Sequence, residues 1–302
     1  MGLDFLLRTF SEEDLKLRPQ PRAKKPKSDA PDLKGMLQRE RLRWKKRQTP
    51  FPASTNFSPS SLTYSLCERA KVAQIAGFHT IYHEAAAPKL QLTFDMGNAI
   101  HEIMQNYFWE AGVLEGEFRC TKCEKSFWAV SPKECPNVKS HSKRHLKFKE
   151  ISLLKPEYQL KGRSDGIILF GDERHYMDIK SIANSSANPH EKQLTFEKLD
   201  EEGPRESHIV QLMLYMFMQQ QNPDYPELNI TKAHLLYVGK NSHQTKSYYI
   251  EYDETVIQPY LDQIQRVLDW AKEVKNGTRT DLPEPCSKAD CKCEDLLVPR
   301  TL

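Results

Sequence analysis

An acidic pair and a lysine form the part of the sequence most able to do chemistry. Asp178 and Lys180 are two residues apart at the end of a β-type run, and Asp165 precedes the previous run. Alternation along a strand puts Asp178 and Lys180 on one face, and antiparallel pairing would bring Asp165 beside them. Neighbouring carboxylates repel unless a cation lies between them, and oxygen ligands favour Mg²⁺ or Mn²⁺. Such an ion can activate water for attack on a phosphodiester, while Lys180 orients that water or stabilises the developing charge.

Asp-x-Lys with an upstream Asp is a short pattern, and solvated charges on a strand are the alternative interpretation. The elements around these residues must therefore support the site. Apolar spacing and capping residues predict helices, and β-rich runs bounded by turn residues predict strands. The order indicates an α/β or α+β protein. We predict helices at about 60–76, 94–109, 206–220 and 256–275, a hairpin at 167–179, and strands at 232–238 and 247–252.

Positive charge is concentrated in the N-terminal segment of the 302-residue chain. Residues 1–50 hold 14 Lys and Arg against 7 Asp and Glu, which gives +7, while the whole chain is only +3. A basic arm can neutralise backbone phosphates, or it can be a solvated tail. No apolar run reaches the length that spans a bilayer, and no signal-peptide pattern opens the chain. We therefore expect a soluble, cytoplasmic protein, in the host cytoplasm if the protein is viral.

Three of the seven cysteines form a pattern typical of a zinc ribbon. Cys120 and Cys123 form a C-x2-C knuckle, and Cys135 follows 12 residues later. Zinc takes four ligands. His141 is the best fourth ligand and His145 the second choice. An odd number of cysteines in tight groups suits metal binding better than a disulfide framework.

Four short motifs occur in the order found in one nuclease family. A glycine and a histidine lie in a helix before the sheet, Gly-x-x-Asp opens the hairpin, Asp-x-Lys ends it, and Gln-x-x-x-Tyr lies in a later helix. The sequence thereby resembles the RecB-like branch of the PD-(D/E)XK nucleases, which includes CRISPR-associated and phage exonucleases. The resemblance implies an α/β, restriction-endonuclease-like core with a mixed central sheet flanked by helices. The matched pairs are Gly97 and His101, Gly162 and Asp165, Asp178 and Lys180, and Gln211 and Tyr215.

The resemblance also implies the ligands of the catalytic cation. His101, Asp165 and Asp178 would bind Mg²⁺ or Mn²⁺, joined by the carbonyl of Ile179. Glu157, just before the sheet, is a weaker candidate. By itself, a histidine on an apolar helix is more often a packed core residue than a ligand.

The implied catalytic set is Asp165, Asp178, Lys180, Gln211 and Tyr215. Gln211 and Tyr215 are one helical turn apart and share a face. They would line the site and contact the DNA strand or the lysine. The alternative is that Gln211 is a helix-surface residue and that Tyr215 serves only packing.

Cys67 and three cysteines near the C-terminus form the other set. Thiolates gathered from both ends of the chain would clamp the fold around one metal centre. The RecB-like branch often has one cysteine before the nuclease core and three after it, binding a [4Fe–4S] cluster. Here Cys286, Cys291 and Cys293 have C-x4-C-x-C spacing, which departs from the family's usual C-x2-C. The resemblance implies the cluster, with structural Zn²⁺ as the alternative.

The resemblance gives a domain layout and a function. We expect a basic, flexible arm over 1–55 and a RecB-like nuclease domain over 56–302, with a zinc-ribbon insert at about 117–148 and the terminal cysteine cluster at 286–293. A compact, standalone chain of this kind indicates a phage or other viral origin.

The implied function is a metal-dependent DNA exonuclease that acts on single-stranded ends in recombination, repair or replication. A structure-specific or nonspecific endonuclease is one alternative, and a non-catalytic DNA-binding or assembly subunit is another. The sequence has no phosphate-binding G-x-x-x-x-G-K-[ST] loop. Any unwinding would therefore need a helicase partner, and a recombinase or single-strand-binding protein is the other kind of partner to expect.

Overall fold

The chain divides into two units, Met1–Arg47 and Gln48–Leu302. Most of the predicted basic arm lies outside the described residues, and all elements below belong to the second unit. Among the residues described, no helix has the length and apolarity needed to cross a membrane. The computed structural model describes residues 35–36, 39–40, 51–80, 82–83, 88–182, 194–220, 228–240, 242, 244–287 and 291–298.

The predicted helix at 60–76 is wrong as a single element. The structure has α1 at Pro59–Ser65 and α2 at Glu68–Ala76. Ser58 caps α1 by accepting from the Ser61 N–H, and the Ser61 hydroxyl accepts from the Ser58 N–H in return. Leu66 is extended (φ −62°, ψ 125°) and breaks the helix. Cys67 is therefore the N-cap of α2, where its sulfur accepts from the Ala70 N–H.

The other helices lie close to their predicted positions. The long helix α3 begins at Pro88, earlier than the predicted residue 94, and ends at Glu110. The helix predicted at 206–220 and the final helix predicted at 256–275 are both confirmed, with ends shifted by one or two residues. They are α5, Glu206–Gln219, and α6, Glu254–Lys275, and the short α4, Phe196–Glu202, precedes them.

A seven-stranded mixed sheet forms the centre of the domain. Its order is β13, β12, β11, β10, β3 and β4, with β7 also paired to β3. Among the described strands of this sheet, only β11 and β12 pair in parallel, and α5 lies in the crossover that a parallel pair requires. The predicted α/β fold with a mixed sheet flanked by helices is confirmed. The strands of this sheet are β3 Leu114–Cys120, β4 Ser126–Val130, β7 Leu146–Lys149, β10 Gly166–Phe170, β11 Glu173–Ile182, β12 Lys232–Gly239 and β13 Thr245–Glu251.

The segment predicted as a zinc-ribbon insert is continuous with this sheet. Strand β3 pairs with β10 at its start, where Leu114 faces Ile168, and reaches the cysteine knuckle at its end. Strands β4 and β7 pair with β3, while β5 (Glu134–Cys135) and β6 (Val138–Ser142) form a separate hairpin. The predicted boundary at about 117 therefore falls inside a strand, because one strand serves both the sheet and the cysteine set.

Two apolar clusters cover opposite sides of the sheet. One contains α5 and α6 side chains together with Tyr176 and Tyr237. The other contains Trp109 of α3, Met177 and Ile179, together with Cys120 and Cys135. The alternating side chains of β11 thus contribute to both cores, with Asp178 between Met177 and Ile179. The remaining elements are the strand pairs β1 Phe51–Pro52 with β2 Tyr82–His83 and β8 Ile151–Lys155 with β9 Leu160–Ser164.

Candidate active site and metal centres

Asp165 occupies the single residue between β9 and β10. The turn there relies on Gly166, whose φ of 152° is one that residues with a side chain rarely adopt. A Cβ on Gly166 would lie 3.0 Å from Leu114 Cδ1. In the hairpin, Gly166 faces Met177, so Asp165 lies alongside the middle of β11. One carboxylate oxygen of Asp165 accepts from the Ile179 N–H at 2.7 Å.

Asp178 and Lys180 share one face of β11, as strand alternation predicts. The Lys180 Nζ lies 3.2 Å from Oδ1 and 2.9 Å from Oδ2 of Asp178. Ile179 points the opposite way into the second core and is fully buried. The N–H of Ile179 contacts Asp165, while a role for its carbonyl at a metal stays a prediction.

His101 reaches the acidic pair from α3. Its Nδ1 lies 3.3 Å from Asp165 Oδ1. Burial opposes protonation of His101, but the contact with Asp165 and the charges of Asp165 and Asp178 outweigh burial and raise its pKa. The structure thus places His101 in contact with Asp165 and near enough to Asp178 to feel its charge.

Gln211 and Tyr215 of α5 complete the group. The Gln211 Nε2 donates to the Tyr215 hydroxyl at 2.7 Å, and the Lys180 Nζ donates to Gln211 Oε1 at 3.1 Å. Both residues are buried, with exposed fractions of 7% and 6%. The lysine is therefore held between a carboxylate and an amide, and the tyrosine fixes the orientation of the amide.

Burial makes the negative charge on Asp178 costly. Only 3% of Asp178 is exposed, and burial raises its pKa to about 6 although Lys180 favours the charged form. Asp165 is also buried, at 7%. Two ionised carboxylates with so little water around them carry a charge of −2 that must be balanced nearby. Lys180 supplies one positive charge, which is half of the balance.

The donor set fits a hard divalent cation. Oxygens of Asp165 and Asp178 and a nitrogen of His101 face the same region. These three residues are not among the sets in the described chain whose ligand atoms all lie within 4.8 Å of one another. With bonds of about 2.1 Å, the direct ligands of one Mg²⁺ ion lie within about 4.2 Å of one another, so all three residues can bind one ion only if they move closer together. Mg²⁺ can also keep several water ligands and bind through one or two carboxylates.

A cleft of about 650 Å³ opens beside His101. Its walls are one face of α3 and strand β7, with Glu150 and Arg163 at the edge. Gln105, one turn after His101, also lines the cleft and donates to the backbone oxygen of Asp165 at 2.8 Å. Sequence reasoning missed Gln105, although its spacing of four residues from His101 places it on the same helix face.

Glu157 is in a different environment from the one predicted. It is half-exposed and pairs with Lys155 Nζ at 3.3 Å. Lys155 also donates to the backbone oxygen of Gln220 and lies over the ring of Phe217. The predicted role of Glu157 at the metal therefore rests on its sequence position alone.

Gly162, the glycine of the Gly-x-x-Asp motif, permits the close approach of α5 and α1 to β9. A Cβ at this position would lie 2.9 Å from Tyr215 Cε1 and 3.2 Å from Pro59 Cδ. We expect Gly162→Ala to lower the free energy of unfolding by about 1 to 3 kcal/mol through overpacking. Chemical denaturation measures this loss, with the neighbouring exposed Lys161→Ala as control. Equal stability of both variants would show that the contact is not tight.

The ribbon cysteines and one histidine form a compact ligand set. The ligand atoms of Cys120, Cys123, Cys135 and His141 all lie within 4.8 Å of one another. Cys120 Sγ is 3.3 Å from His141 Nδ1, and Cys123 Sγ is 3.7 Å from Cys135 Sγ. His145, the second choice, is outside this set, and its Nε2 accepts from Arg144 Nε at 3.1 Å.

The Cys120 thiol is adapted to ionise. Burial raises its pKa, but backbone N–H groups of Cys123 and Lys122 and the His141 contact outweigh this and lower the pKa to about 6. The thiolate is the form that binds metals. These four residues therefore fit zinc, with Cys₃His ligation.

The structure also brings together the second predicted cysteine set. The sulfurs of Cys67, Cys286, Cys291 and Cys293 lie within 4.8 Å of one another. Cys286 Sγ is 3.6 Å from Cys293 Sγ. The segment that carries Cys286, Cys291 and Cys293 thus meets the N-terminus of α2, and both cysteine sets are compatible with metal binding.

Comparison with known proteins identifies the family of this chain. Residues 56–295 match the family model for the PD-(D/E)XK nuclease superfamily, and the chain belongs to that superfamily. It is therefore a nuclease by family, and nucleases of this superfamily use divalent metal ions.

Similar solved structures are distant in sequence. An alkaline exonuclease from Laribacter hongkongensis has 12% identity and a TM-score of 0.43, with 74% of this chain and 91% of that chain covered. The same exonuclease in complex with dAMP has 13% identity and a TM-score of 0.41 over the same shares. SSO0001 has 12% identity and a TM-score of 0.33, with 83% and 89% covered. A search of curated proteins found no match.

Proposed function

We propose that this protein is a metal-dependent DNA exonuclease of the RecB-like branch that degrades single-stranded ends. The observation that carries the proposal is the continuous contact network from His101 through Asp165 and β11 to Gln211. It gathers two buried carboxylates, a histidine and a lysine, and the histidine, His101, lines the open cleft. A non-catalytic binding module would gain nothing from buried carboxylates, which repel a phosphate.

The metal ligands and Lys180 have different roles in hydrolysis. His101, Asp165 and Asp178 would hold Mg²⁺ or Mn²⁺, with the Ile179 carbonyl as a further ligand. A divalent cation at this place binds a phosphate oxygen and lowers the pKa of a bound water. Asp178 keeps Lys180 beside the reacting phosphate, where the ammonium group steadies developing negative charge.

Gln211 and Tyr215 act by positioning Lys180. Because Gln211 donates to Tyr215, its carbonyl oxygen is left to accept from the ammonium group. The lysine therefore has a neutral acceptor in Gln211 and a charged acceptor in Asp178, and these contacts hold its ammonium group in place.

The cleft beside His101 is the proposed path of the DNA strand. Its volume lies within the range of pockets for small ligands, which suits a few nucleotides of one strand better than a duplex. The exposed amides of Asn98 and Asn106 lie on the helix wall, and Lys147 and Lys149 lie on β7 opposite. A helicase or another partner would have to open a duplex.

The test is an assay of substrate form. We expect linear single-stranded DNA labelled at either end to be shortened progressively with Mg²⁺ or Mn²⁺, while closed circular single-stranded DNA of the same sequence stays intact. Cleavage of the circle would favour the endonuclease alternative. Faster cleavage of matched RNA would reject DNA as the substrate, and binding without cleavage would favour the assembly-subunit alternative.

Basic residues of the cleft give a separate prediction about binding. Lys147 is exposed on β7, and Arg163 is 70% exposed across the cleft. Lys147→Ala and Arg163→Ala should each weaken DNA binding and reduce the salt-dependence slope of log Kd by about 1, because each removes one phosphate contact. Fluorescence anisotropy at several salt concentrations measures this, with the exposed ribbon residue Lys139→Ala as control. An unchanged slope would show that the DNA strand binds to another surface of the protein.

A further inference from the structure

The four terminal cysteines are held at a spacing that differs from the one an iron–sulfur cluster requires. Around one tetrahedral ion with metal–sulfur bonds of about 2.3 Å, neighbouring sulfurs are about 3.8 Å apart. In a [4Fe–4S] cluster each thiolate binds a different iron, so the four sulfurs surround a much larger object. The 3.6 Å separation of Cys286 and Cys293, with all four sulfurs within 4.8 Å, matches a single ion.

The ribbon set provides an internal standard for this comparison. Its sulfurs of Cys123 and Cys135 are 3.7 Å apart, and its four ligand atoms also lie within 4.8 Å. In both sets, therefore, one sulfur–sulfur distance is close to the one expected around a single ion, and all ligand atoms lie within the same 4.8 Å limit. A cluster at the terminal set would need that set to be considerably wider than the ribbon.

Arg69 holds the scaffold of the terminal set at its present width. This residue of α2 lies two positions after Cys67, and its guanidinium donates to three backbone oxygens of the C-terminal segment. The acceptors are Cys293 at 2.7 Å, Pro283 at 2.8 Å and Leu296 at 2.5 Å. Spreading the sulfurs around a cluster would pull this segment away from α2 and break these charge-assisted hydrogen bonds.

Backbone N–H groups already donate to two of the sulfurs. The Cys286 N–H points at Cys293 Sγ at 3.4 Å, and the Ala70 N–H points at Cys67 Sγ at 3.5 Å. Such outer bonds orient the ligands of a bound metal.

We infer that Cys67, Cys286, Cys291 and Cys293 form a Cys₄ site for one zinc ion, and that this chain has no iron–sulfur cluster. The zinc clamps the C-terminal segment to the start of α2, and Arg69 supports the clamp. The donor types fit either centre, but the sulfur spacing and its scaffold do not fit the cluster that the family resemblance implies. This inference is independent of the proposed exonuclease activity.

The metal content of the intact protein tests whether the terminal cysteines bind one zinc ion. The full chain is produced in medium with ample iron and zinc and purified without oxygen, so that a cluster would survive. Mass spectrometry of the elements should find about two zinc ions per chain, one for each ligand set, and iron far below one. The visible spectrum should lack iron–sulfur absorbance.

Single substitutions assign the ions. Cys291→Ser should lose one zinc and keep the other, and Cys135→Ser should do the same at the ribbon. If a variant does not fold, replacing zinc by Co²⁺ in the wild type still distinguishes the sites, because Cys₄ and Cys₃His cobalt spectra differ. About four iron and one zinc with visible absorbance would overturn the inference. One zinc with no iron would also overturn it, because the terminal set would then bind nothing.

Discussion

Asp178→Asn should reduce the rate of DNA cleavage by at least about 10²-fold, the scale at which removal of one electrostatic contact in an active site is felt. The amide cannot hold a cation as a carboxylate does, and it also releases Lys180, whose Nζ lies 2.9 Å from Asp178 Oδ2. The substitution removes the buried Asp178 carboxylate, and the pKa of this carboxyl group is raised to about 6 because burial makes its charge costly. Stability should therefore be unchanged or higher, so the lost activity is not a folding defect.

The matched control for this substitution lies in the same hairpin. Asp172 is exposed in the turn between β10 and β11, and Asp172→Asn should cleave like the wild type. Single-turnover rates at saturating enzyme and thermal melting curves are measured for both variants. A cleavage rate of Asp178→Asn within a few fold of the rate of Asp172→Asn would show that Asp178 is not a catalytic residue.

His141→Ala should cause the largest loss of stability among the substitutions considered, whereas His145→Ala should have little effect. Structural zinc contributes about 10 kcal/mol or more to the folding of isolated zinc-finger peptides. Here the ligand set is joined to the central sheet, because Cys120 ends β3 and is buried with Cys135 in the second core. Loss of this ion should therefore loosen β3, β4 and β7 together.

Zinc content and unfolding temperature measure the effect. His141→Ala should lose about one zinc and unfold well below the wild type, and added zinc should restore little of the difference. His145→Ala should keep its zinc and its unfolding temperature, since the substitution removes an exposed hydrogen bond from Arg144 and a ring contact with His141 at 6.0 Å between ring centroids, but no zinc ligand. Loss of zinc from His145→Ala instead would reverse the ligand assignment.

Long periodic segments made much of the fold predictable. The helix α5 and the hairpin of β10 and β11 follow from local patterns, and the alternation of β11 placed Asp178 and Lys180 on one face. The break at Leu66 was not predictable from spacing, because Leu62, Leu66 and Ala70 continue a helical pattern across it. The capping groups of α2 decide the break.

Features that depend on distant contacts were harder to predict. Nothing local shows that β3 joins β10 to the zinc ligands, or that Arg69 binds the C-terminal segment 214 to 227 residues away. The sequence already favoured His141 over His145, but it did not show the hairpin of β5 and β6 that brings His141 to Cys120. Side-chain motifs thus indicated the centres, while the sheet order and the spacing of ligands required the structure.

The central claim is that cleavage depends on a divalent cation held by Asp165 and Asp178. Its most direct test is the cleavage rate of an end-labelled single-stranded oligonucleotide as a function of Mg²⁺ concentration, using protein freed of loosely bound ions while its zinc content is monitored. The account predicts no cleavage without Mg²⁺, a rate that rises to saturation as Mg²⁺ is added, and no such rise for the Asp165→Asn, Asp178→Asn double variant. Cleavage by the wild type without divalent cations, or a double variant that responds to Mg²⁺ as the wild type does, would contradict it.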